Sequence, residues 1–306
     1  MNRWIVYQRE RFPVAAHAPL VAAFSTSAVC FSSLSRGHVA WPSPAALTVA
    51  FVTCLLFFLQ LRIADEFKDS EDDRRLRPYR PVPRGLVTLR ELACVGLAAV
   101  AVQLGLALWL APPLVWLLAL TWLYLALMQR EFFLGAWLKR RPVAYMASHM
   151  AIVPLIDFYA TACDWRAAGV GHPPVSLSWF LIVSFLNGCV VEIGRKTRAP
   201  ADEEAGVETY SALWGIDGAV RAWLAVIAMT AVAAWRASAH VGGGATTAVL
   251  LVVMAAGCAL AAHRFMRSAT VGSGRRLEMM SGIWTFLMYV ALGAAPLVLG
   301  LLRSGR

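Results

Sequence analysis

Carboxylate side chains collect in two short segments, which together hold eleven of the 18 acidic residues of the chain. The first segment contains Asp65, Glu66, Asp69, Glu71, Asp72 and Asp73. The second contains Glu192, Asp202, Glu203, Glu204 and Glu208. Asp65, Asp69 and Asp73 recur at every fourth residue, so a helix would place all three on one face. Parallel carboxylates repel one another unless a cation lies between them, and such oxygen ligands suit Mg²⁺.

Basic side chains accompany both acidic segments. They are Lys68, Arg77, Arg80 and Arg84 beside the first, and Lys196 and Arg198 beside the second. Because ammonium and guanidinium groups bind phosphate oxygens directly, the two segments together favour Mg²⁺-assisted chemistry on a diphosphate. Metal ions would neutralise the leaving diphosphate, and an apolar interior would shield the resulting allylic carbocation from water. The alternative is a mixed-charge surface with ordinary ion pairs four residues apart.

The rest of the chain has the composition of a membrane protein. Of the 306 residues, 59% are hydrophobic and 15% are charged, and the mean hydropathy is +0.62. These values exclude a disordered chain and disfavour a soluble domain. Nine apolar runs are each long enough to cross a hydrocarbon core of about 30 Å. They cover residues 13–34, 45–64, 88–109, 112–129, 142–163, 175–195, 210–235, 244–263 and 279–302.

The basic residues also predict how these runs are oriented. The net charge of +10 would indicate a nucleic-acid partner in a soluble protein, but here the positive charges concentrate in alternate loops. With the N-terminus in the cytoplasm and the C-terminus outside, every cytoplasmic loop carries the positive excess. Both acidic segments then share the cytoplasmic face. The sequence predicts an all-α polytopic membrane protein with one domain over residues 1–306, and its arginine and alanine content indicates a bacterial inner membrane.

The sequence resembles the UbiA superfamily of intramembrane prenyltransferases over essentially its whole length. That family has nine membrane helices around a central cavity, with Asp-rich motifs after the second and sixth helices. Its first motif, N-D-x-x-D-x-x-x-D, corresponds to residues 65–73, with Asp65 at the Asn position and Glu66 at the first Asp position. The stretch that follows in the family, R-P-x-R-P-[IV]-P-x-G, is matched throughout by residues 77–85.

The second motif departs from the family pattern of D-x-x-x-D followed by an Asp four residues before a Gly. Glu192 stands at the position of the first carboxylate, and Asp202 lies four residues before Gly206. Lys196 replaces the middle aspartate, and the segment is longer. The resemblance is therefore to a divergent branch of the family. The acceptor substrates of well-known members do not carry over to this sequence.

The resemblance implies that an isoprenoid diphosphate transfers its prenyl group, with Mg²⁺ as cofactor, to an aromatic or other small lipophilic acceptor. The carboxylates implied in catalysis and metal binding are Asp65, Asp69, Asp73, Glu192 and Asp202, with Glu203 or Glu204 in place of the missing metal ligand. The basic side chains implied in diphosphate binding are Lys68, Arg77, Arg80, Lys196 and Arg198. The lipid bilayer is the expected surrounding, with no nucleic-acid or protein partner.

The sequence leaves two other functions open. A terpene cyclase on the same scaffold would ionise the diphosphate and let an internal double bond attack the cation. A transporter or ion channel would place acidic residues near the middle of the bilayer, whereas most of them here lie at one face. Asp157 and His149, within the fifth run, are interpreted either as groups that orient the acceptor or take its proton, or as polar contacts between helices. Glu131, in the third cytoplasmic loop, could complete the rim of the site.

Overall fold

Helices dominate the described residues, 2–204 and 206–304, in this computed structural model. They are α1 (Arg3–Arg11), α2 (Val14–Ser35), α3 (Pro44–Lys68), α4 (Ser70–Leu76), α5 (Leu89–Leu110), α6 (Leu114–Gln129), α7 (Gly135–Lys139), α8 (Pro142–Met150), α9 (Ile152–Trp165), α10 (Leu177–Arg195), α11 (Tyr210–Ala239), α12 (Gly244–Arg267), α13 (Gly274–Leu292) and α14 (Ala294–Ser304). Two 3₁₀ turns cover Glu131–Phe133 and Pro200–Asp202. The predicted all-α architecture is confirmed.

Eight helices or consecutive helix pairs in the described part of the chain are long and apolar enough to cross a membrane. They are α2, α3, α5, α8 with α9, α10, α11, α12, and α13 with α14. The fourth predicted run is shorter, because α6 has 16 residues and spans about 24 Å at 1.5 Å per residue. A turn at Pro112 and Pro113 precedes α6, and the chain leaves the helix at Arg130. All nine predicted runs are therefore helical, but eight rather than nine meet the length of a membrane span.

The fifth predicted run is divided into α8 and α9, which meet at Ala151. Pro154 lies in the first turn of α9 and has no N–H to donate to the carbonyl group of Met150, so the helical hydrogen bonding is interrupted there. The last run is also divided, since α13 ends at Leu292 and α14 begins at Ala294. Neither break was predicted from the hydropathy, which remains high through both.

The second run continues into the first acidic segment, as expected. Only Asp69 separates α3 from α4. The backbone N–H of Asp69 donates to the carbonyl oxygen of Asp65 at 2.9 Å, and that of Asp73 donates to Asp69 at 2.8 Å. These bonds carry the helical pattern through the junction, so the three aspartates keep their spacing of one turn along the chain.

The end of α10 is fixed by close packing against α11 and α13. Gly194 makes the approach of α13 possible, because a Cβ at this position would lie 2.1 Å from Ser281 Oγ. Trp223 of α11 donates from Nε1 to the same Ser281 oxygen at 2.9 Å. Small residues and interhelical hydrogen bonds of this kind hold membrane helices together, and here they position the end of α10 that carries Glu192.

Candidate active site

Of the three aspartates spaced four residues apart, Asp65 and Asp69 are neutralised by the protein less than Asp73 is. The Asp65 side chain is 50% exposed, and its Oδ2 lies 3.4 Å from Nη1 of Arg62. The carboxylate of Asp69 has no hydrogen-bond or ion-pair partner among the described residues. Burial raises the pKa of the Asp69 carboxyl and the charge of Asp73 raises it further, while the positive charges of Lys68 and two nearby arginines oppose both effects. A cation bound beside Asp69 would therefore stabilise its charged form.

Asp73 and Glu66 are instead buried and paired within the protein. Asp73 is 2% exposed, and its carboxylate accepts hydrogen bonds from Arg77 at 3.0 Å and from Arg80 at 2.7 Å. Both arginines, predicted to bind diphosphate, thus hold Asp73 in this structure. Glu66 is paired with Arg11 of α1. The sequence analysis missed Arg11, since 55 residues separate it from Glu66 and no spacing pattern joins the two.

The carboxylates of the second segment also have partners within the chain. Glu192, at the end of α10, lies 2.6 Å from Arg195 and 2.9 Å from Lys196. Asp202 accepts a hydrogen bond from the backbone N–H of Gly272 at 2.7 Å, which ties the segment to the loop before α13. The carboxylate of Glu203 accepts hydrogen bonds from hydroxyl groups at the start of α11, those of Thr209 at 2.7 Å and Ser211 at 2.8 Å.

The two acidic segments meet at one end of the bundle. Glu204 lies between Arg198, at 3.1 Å, and Arg77 of the first segment, at 3.8 Å. Gly206 packs against the side chain of Leu76: its φ is +77°, and a Cβ there would lie 2.5 Å from Leu76 Cδ1. This contact between the segments agrees with the prediction that both share one face of the membrane.

The third loop adds a polar group to the same region. Lys68 forms an ion pair with Glu131 and donates a hydrogen bond to the hydroxyl group of Tyr145 at 2.7 Å. His149 stacks on Tyr145, with ring centroids 4.0 Å apart, and its Nε2 lies 3.5 Å from Glu131 Oε2. Glu131 therefore lies at the rim of the site, as the sequence analysis allowed. Tyr145 was missed, because one tyrosine in an apolar run carries no pattern.

A small cavity lies between the third loop and the second segment. Its volume is about 80 Å³, and Tyr145, Lys196, Glu208 and Tyr210 are among the residues that line it. The Lys196 ammonium group also lies 5.9 Å from the centroid of the Tyr210 ring. The cavity thus brings a cation that was predicted to bind diphosphate next to two aromatic rings, a setting in which a cation can also be stabilised by π electrons.

The hydrogen-bond partners of Asp157 lie on other helices than the one that carries His149. Asp157 is fully buried, and its Oδ2 accepts a hydrogen bond from the Tyr289 hydroxyl group at 3.0 Å. That hydroxyl group also lies 3.2 Å from Ser184 Oγ. These contacts connect α9, α10 and α13, which agrees with the interpretation of Asp157 as a polar contact between helices.

The side chains of the first segment fit Mg²⁺. This ion takes oxygen ligands and usually keeps several waters, and Asp65 and Asp69 offer carboxylate oxygens without strong competing partners. The second segment fits it less well, since the carboxylates of Glu192, Asp202 and Glu203 are already bonded. No three His, Cys, Asp or Glu side chains converge into a metal cluster within residues 2–204 and 206–304. A metal here would therefore take further ligands from water and from a diphosphate.

Comparison with known proteins identifies the family to which this fold is similar. The sequence matches the profile of the UbiA prenyltransferase family over residues 23–283. No curated protein matches it significantly. Among solved structures, the apo structure of a UbiA homologue from Aeropyrum pernix K1 is 17% identical, covers 95% of this chain and 98% of its own, and has a TM-score of 0.68.

Two further solved structures are similar in fold. A digeranylgeranylglyceryl phosphate synthase is 13% identical, covers 95% of this chain and 99% of its own, and has a TM-score of 0.63. A UbiA homologue from Archaeoglobus fulgidus bound to DMAPP and Mg²⁺ is 12% identical, covers 94% of this chain and 98% of its own, and has a TM-score of 0.56. Because the family profile spans most of the sequence and these folds agree with it, the chain belongs to the UbiA prenyltransferase family.

Proposed function

We propose that the protein is an Mg²⁺-dependent intramembrane prenyltransferase, which moves the prenyl group of an isoprenoid diphosphate to a small lipophilic or aromatic acceptor. The observation that carries this proposal is the meeting of the two acidic segments, through Arg77, Glu204 and Arg198, at one end of an apolar bundle. That end is the cytoplasmic one if the positive-inside orientation holds. The A. fulgidus homologue, whose structure contains DMAPP and Mg²⁺, supports the class of substrate and the metal.

Asp65 and Asp69 are the residues that would hold Mg²⁺. When bound, the metal supplies positive charge that stabilises the leaving diphosphate. Glu192, Asp202 and Glu203 are weaker candidates for this role, because each would first have to leave its present partner. Asp73 would act by keeping Arg77 and Arg80 in place.

Five basic side chains would bind the diphosphate oxygens: Lys68, Arg77, Arg80, Lys196 and Arg198. All five are now paired with carboxylates, Lys68 with Glu131, Arg77 and Arg80 with Asp73, Lys196 with Glu192, and Arg198 with Glu204. The diphosphate would replace or share these carboxylates, so the cations are already positioned before the substrate arrives. The apolar helices beneath them exclude water, which protects an allylic cation.

The proposal is tested by Mg²⁺-dependent release of diphosphate from geranyl, farnesyl or geranylgeranyl diphosphate by the purified protein. We expect Asp65→Asn and Asp69→Asn each to lower the rate by roughly a hundredfold, since each removes a charged metal ligand. Asp72→Asn is the matched control, because Asp72 lies in the same segment but is exposed, and its rate should stay within about twofold. Unchanged release in Asp69→Asn would refute the assigned metal site.

The products separate transfer from cyclisation. Incubation with a prenyl diphosphate and Mg²⁺ but no acceptor should yield acyclic alcohols and alkenes if the protein is a transferase. A cyclic hydrocarbon or cyclic alcohol as the main product would identify a terpene cyclase on this scaffold and would overturn the transferase proposal.

A further inference from the structure

Three consecutive residues after α6 have a left-handed backbone. The φ angles of Glu131, Phe132 and Phe133 are +50°, +52° and +59°, and none of the three is glycine. L-residues adopt this conformation at a cost, and such strain persists where the surrounding structure imposes it, commonly at functional sites. We therefore ask which side chains this strained turn positions.

The strained turn brings the Glu131 carboxylate among three side chains from two other helices. Its Oε1 accepts a hydrogen bond from the Tyr145 hydroxyl group at 3.2 Å and is paired with the Lys68 ammonium group. Its Oε2 is buried and has no hydrogen-bond partner in the described part of the protein. Nε2 of His149 lies 3.5 Å from this oxygen.

His149 is held in one orientation and one tautomer. Its Nδ1 lies 2.9 Å from the backbone carbonyl oxygen of Tyr145. A carbonyl oxygen can only accept, so Nδ1 carries the hydrogen and a neutral ring has its lone pair on Nε2. Nε2 is also buried and without a hydrogen-bond partner among the described residues. In this tautomer the lone pair of Nε2 and the Oε2 atom of Glu131, 3.5 Å apart, are two acceptors that a single proton can bridge.

We propose that His149 and Glu131 form the proton-accepting pair of the reaction, an inference that rests on the proposed function. The C–O bond of the prenyl diphosphate breaks and its electron pair leaves with the diphosphate. The acceptor forms a new bond to the allylic carbon, and the proton that it loses goes to the lone pair on His149 Nε2. Glu131 is a positioning residue, because its carboxylate lies beside Nε2 and stabilises the imidazolium that forms.

Lys68 connects this pair to the diphosphate. The same ammonium group is paired with Glu131 here and is a candidate ligand of the diphosphate. When Lys68 turns toward the diphosphate, Glu131 loses the cation that neutralises it. Its negative charge is then available to the imidazolium, so arrival of the substrate would strengthen the pair as a proton acceptor.

The test incubates the protein in detergent with Mg²⁺ and a prenyl diphosphate, without acceptor. The substrate is whichever of geranyl, farnesyl and geranylgeranyl diphosphate gives the fastest release of diphosphate. The allylic cation then either loses a proton to a base and yields an alkene, or captures water and yields an alcohol. Total release of diphosphate reports ionisation, whereas the alkene share of the products reports the proton acceptor. The variants are His149→Phe, Glu131→Gln and Glu131→Asp, and the control is His263→Phe, since His263 is an exposed residue of α12.

We expect His149→Phe to lower the alkene share at least fivefold, with a smaller reduction in diphosphate release. Glu131→Gln should lower the share in the same direction, and Glu131→Asp should restore part of it. An alkene share unchanged in His149→Phe, a parallel loss of release and alkene, or a wild-type protein that makes only alcohol would overturn the pair. Absence of any Mg²⁺-dependent release from the wild-type protein would be a different result, which refutes the proposed function together with the pair.

Discussion

Equal spacing along the chain does not give Asp65, Asp69 and Asp73 equal roles. Two guanidinium groups occupy the lone pairs of the Asp73 carboxylate, which leaves little capacity for a metal ion. The carboxylates of Asp65 and Asp69 keep lone pairs that a metal ion can use. The residue at each position is the same, but its partners decide whether it can act as a ligand. For this reason Asp65 and Asp69 are the more informative positions for substitution.

The buried Arg11–Glu66 pair predicts an effect on stability rather than on chemistry. The two side chains are 11% and 1% exposed, and removal of one partner of a buried pair leaves an uncompensated charge at a cost of about 3–5 kcal/mol. We expect Arg11→Met to lower the free energy of unfolding by about 3 kcal/mol, measured by unfolding in mixed micelles. The double variant Arg11→Met, Glu66→Leu should recover most of this loss, and a double variant as unstable as Arg11→Met would contradict the explanation.

The turn between α6 and α7 shows what an element can impose on its residues. α6 ends at Gln129 and α7 begins at Gly135, so the chain must reverse within five residues while Glu131 reaches Lys68. A left-handed backbone achieves this without glycine. The cost is local strain of roughly 1–2 kcal/mol per residue, which the contacts of Glu131 offset.

This strain can be measured at Phe133, whose side chain is 74% exposed and contributes little packing. Glycine adopts positive φ without a steric penalty, whereas alanine keeps the Cβ that causes it. We expect Phe133→Gly to be more stable than Phe133→Ala by about 1 kcal/mol, seen as a higher midpoint of thermal unfolding in detergent. At an ordinary helical position the order would be reversed, as the exposed residue Phe67 of α3 allows one to check. If Phe133→Ala proves the more stable of the two, the turn is not strained.

The helices could be predicted from the sequence much better than the contacts of the site. Apolar runs reveal membrane helices because only a fully hydrogen-bonded backbone is stable in lipid, and all nine runs are helical here. Partners such as Asp202 and Gly272, 70 residues apart, depend on how helices pack, which hydropathy does not report. The left-handed turn at Glu131 was equally hidden, because Glu, Phe and Phe are not residues that indicate positive φ.

At the scale of the whole molecule, the arrangement of charges predicts how Mg²⁺ and diphosphate bind. Asp65 and Asp69 alone provide few ligands, and the basic residues of both segments repel a cation until an anion arrives. We expect Mg²⁺ alone to raise the midpoint of thermal unfolding little, and Mg²⁺ with inorganic diphosphate to raise it more than the sum of the two added separately, because a ligand that binds only the folded state stabilises it. A full shift with Mg²⁺ alone would show that a complete carboxylate site exists.

The short α6 has a consequence for the lipid around the protein. At about 24 Å it falls roughly 6 Å short of a hydrocarbon core of about 30 Å, and its outer surface is apolar, with Trp116 and Leu123 exposed. Such a hydrophobic mismatch is met by a thinner bilayer beside the helix, at a fraction of a kcal/mol per Å. We therefore expect a thinner bilayer on the side where α6 leads into the turn that carries Glu131. Lipids with shorter acyl chains should suit this side of the protein best. Membrane thickness should then affect the site, because α6 leads directly into the turn that carries Glu131.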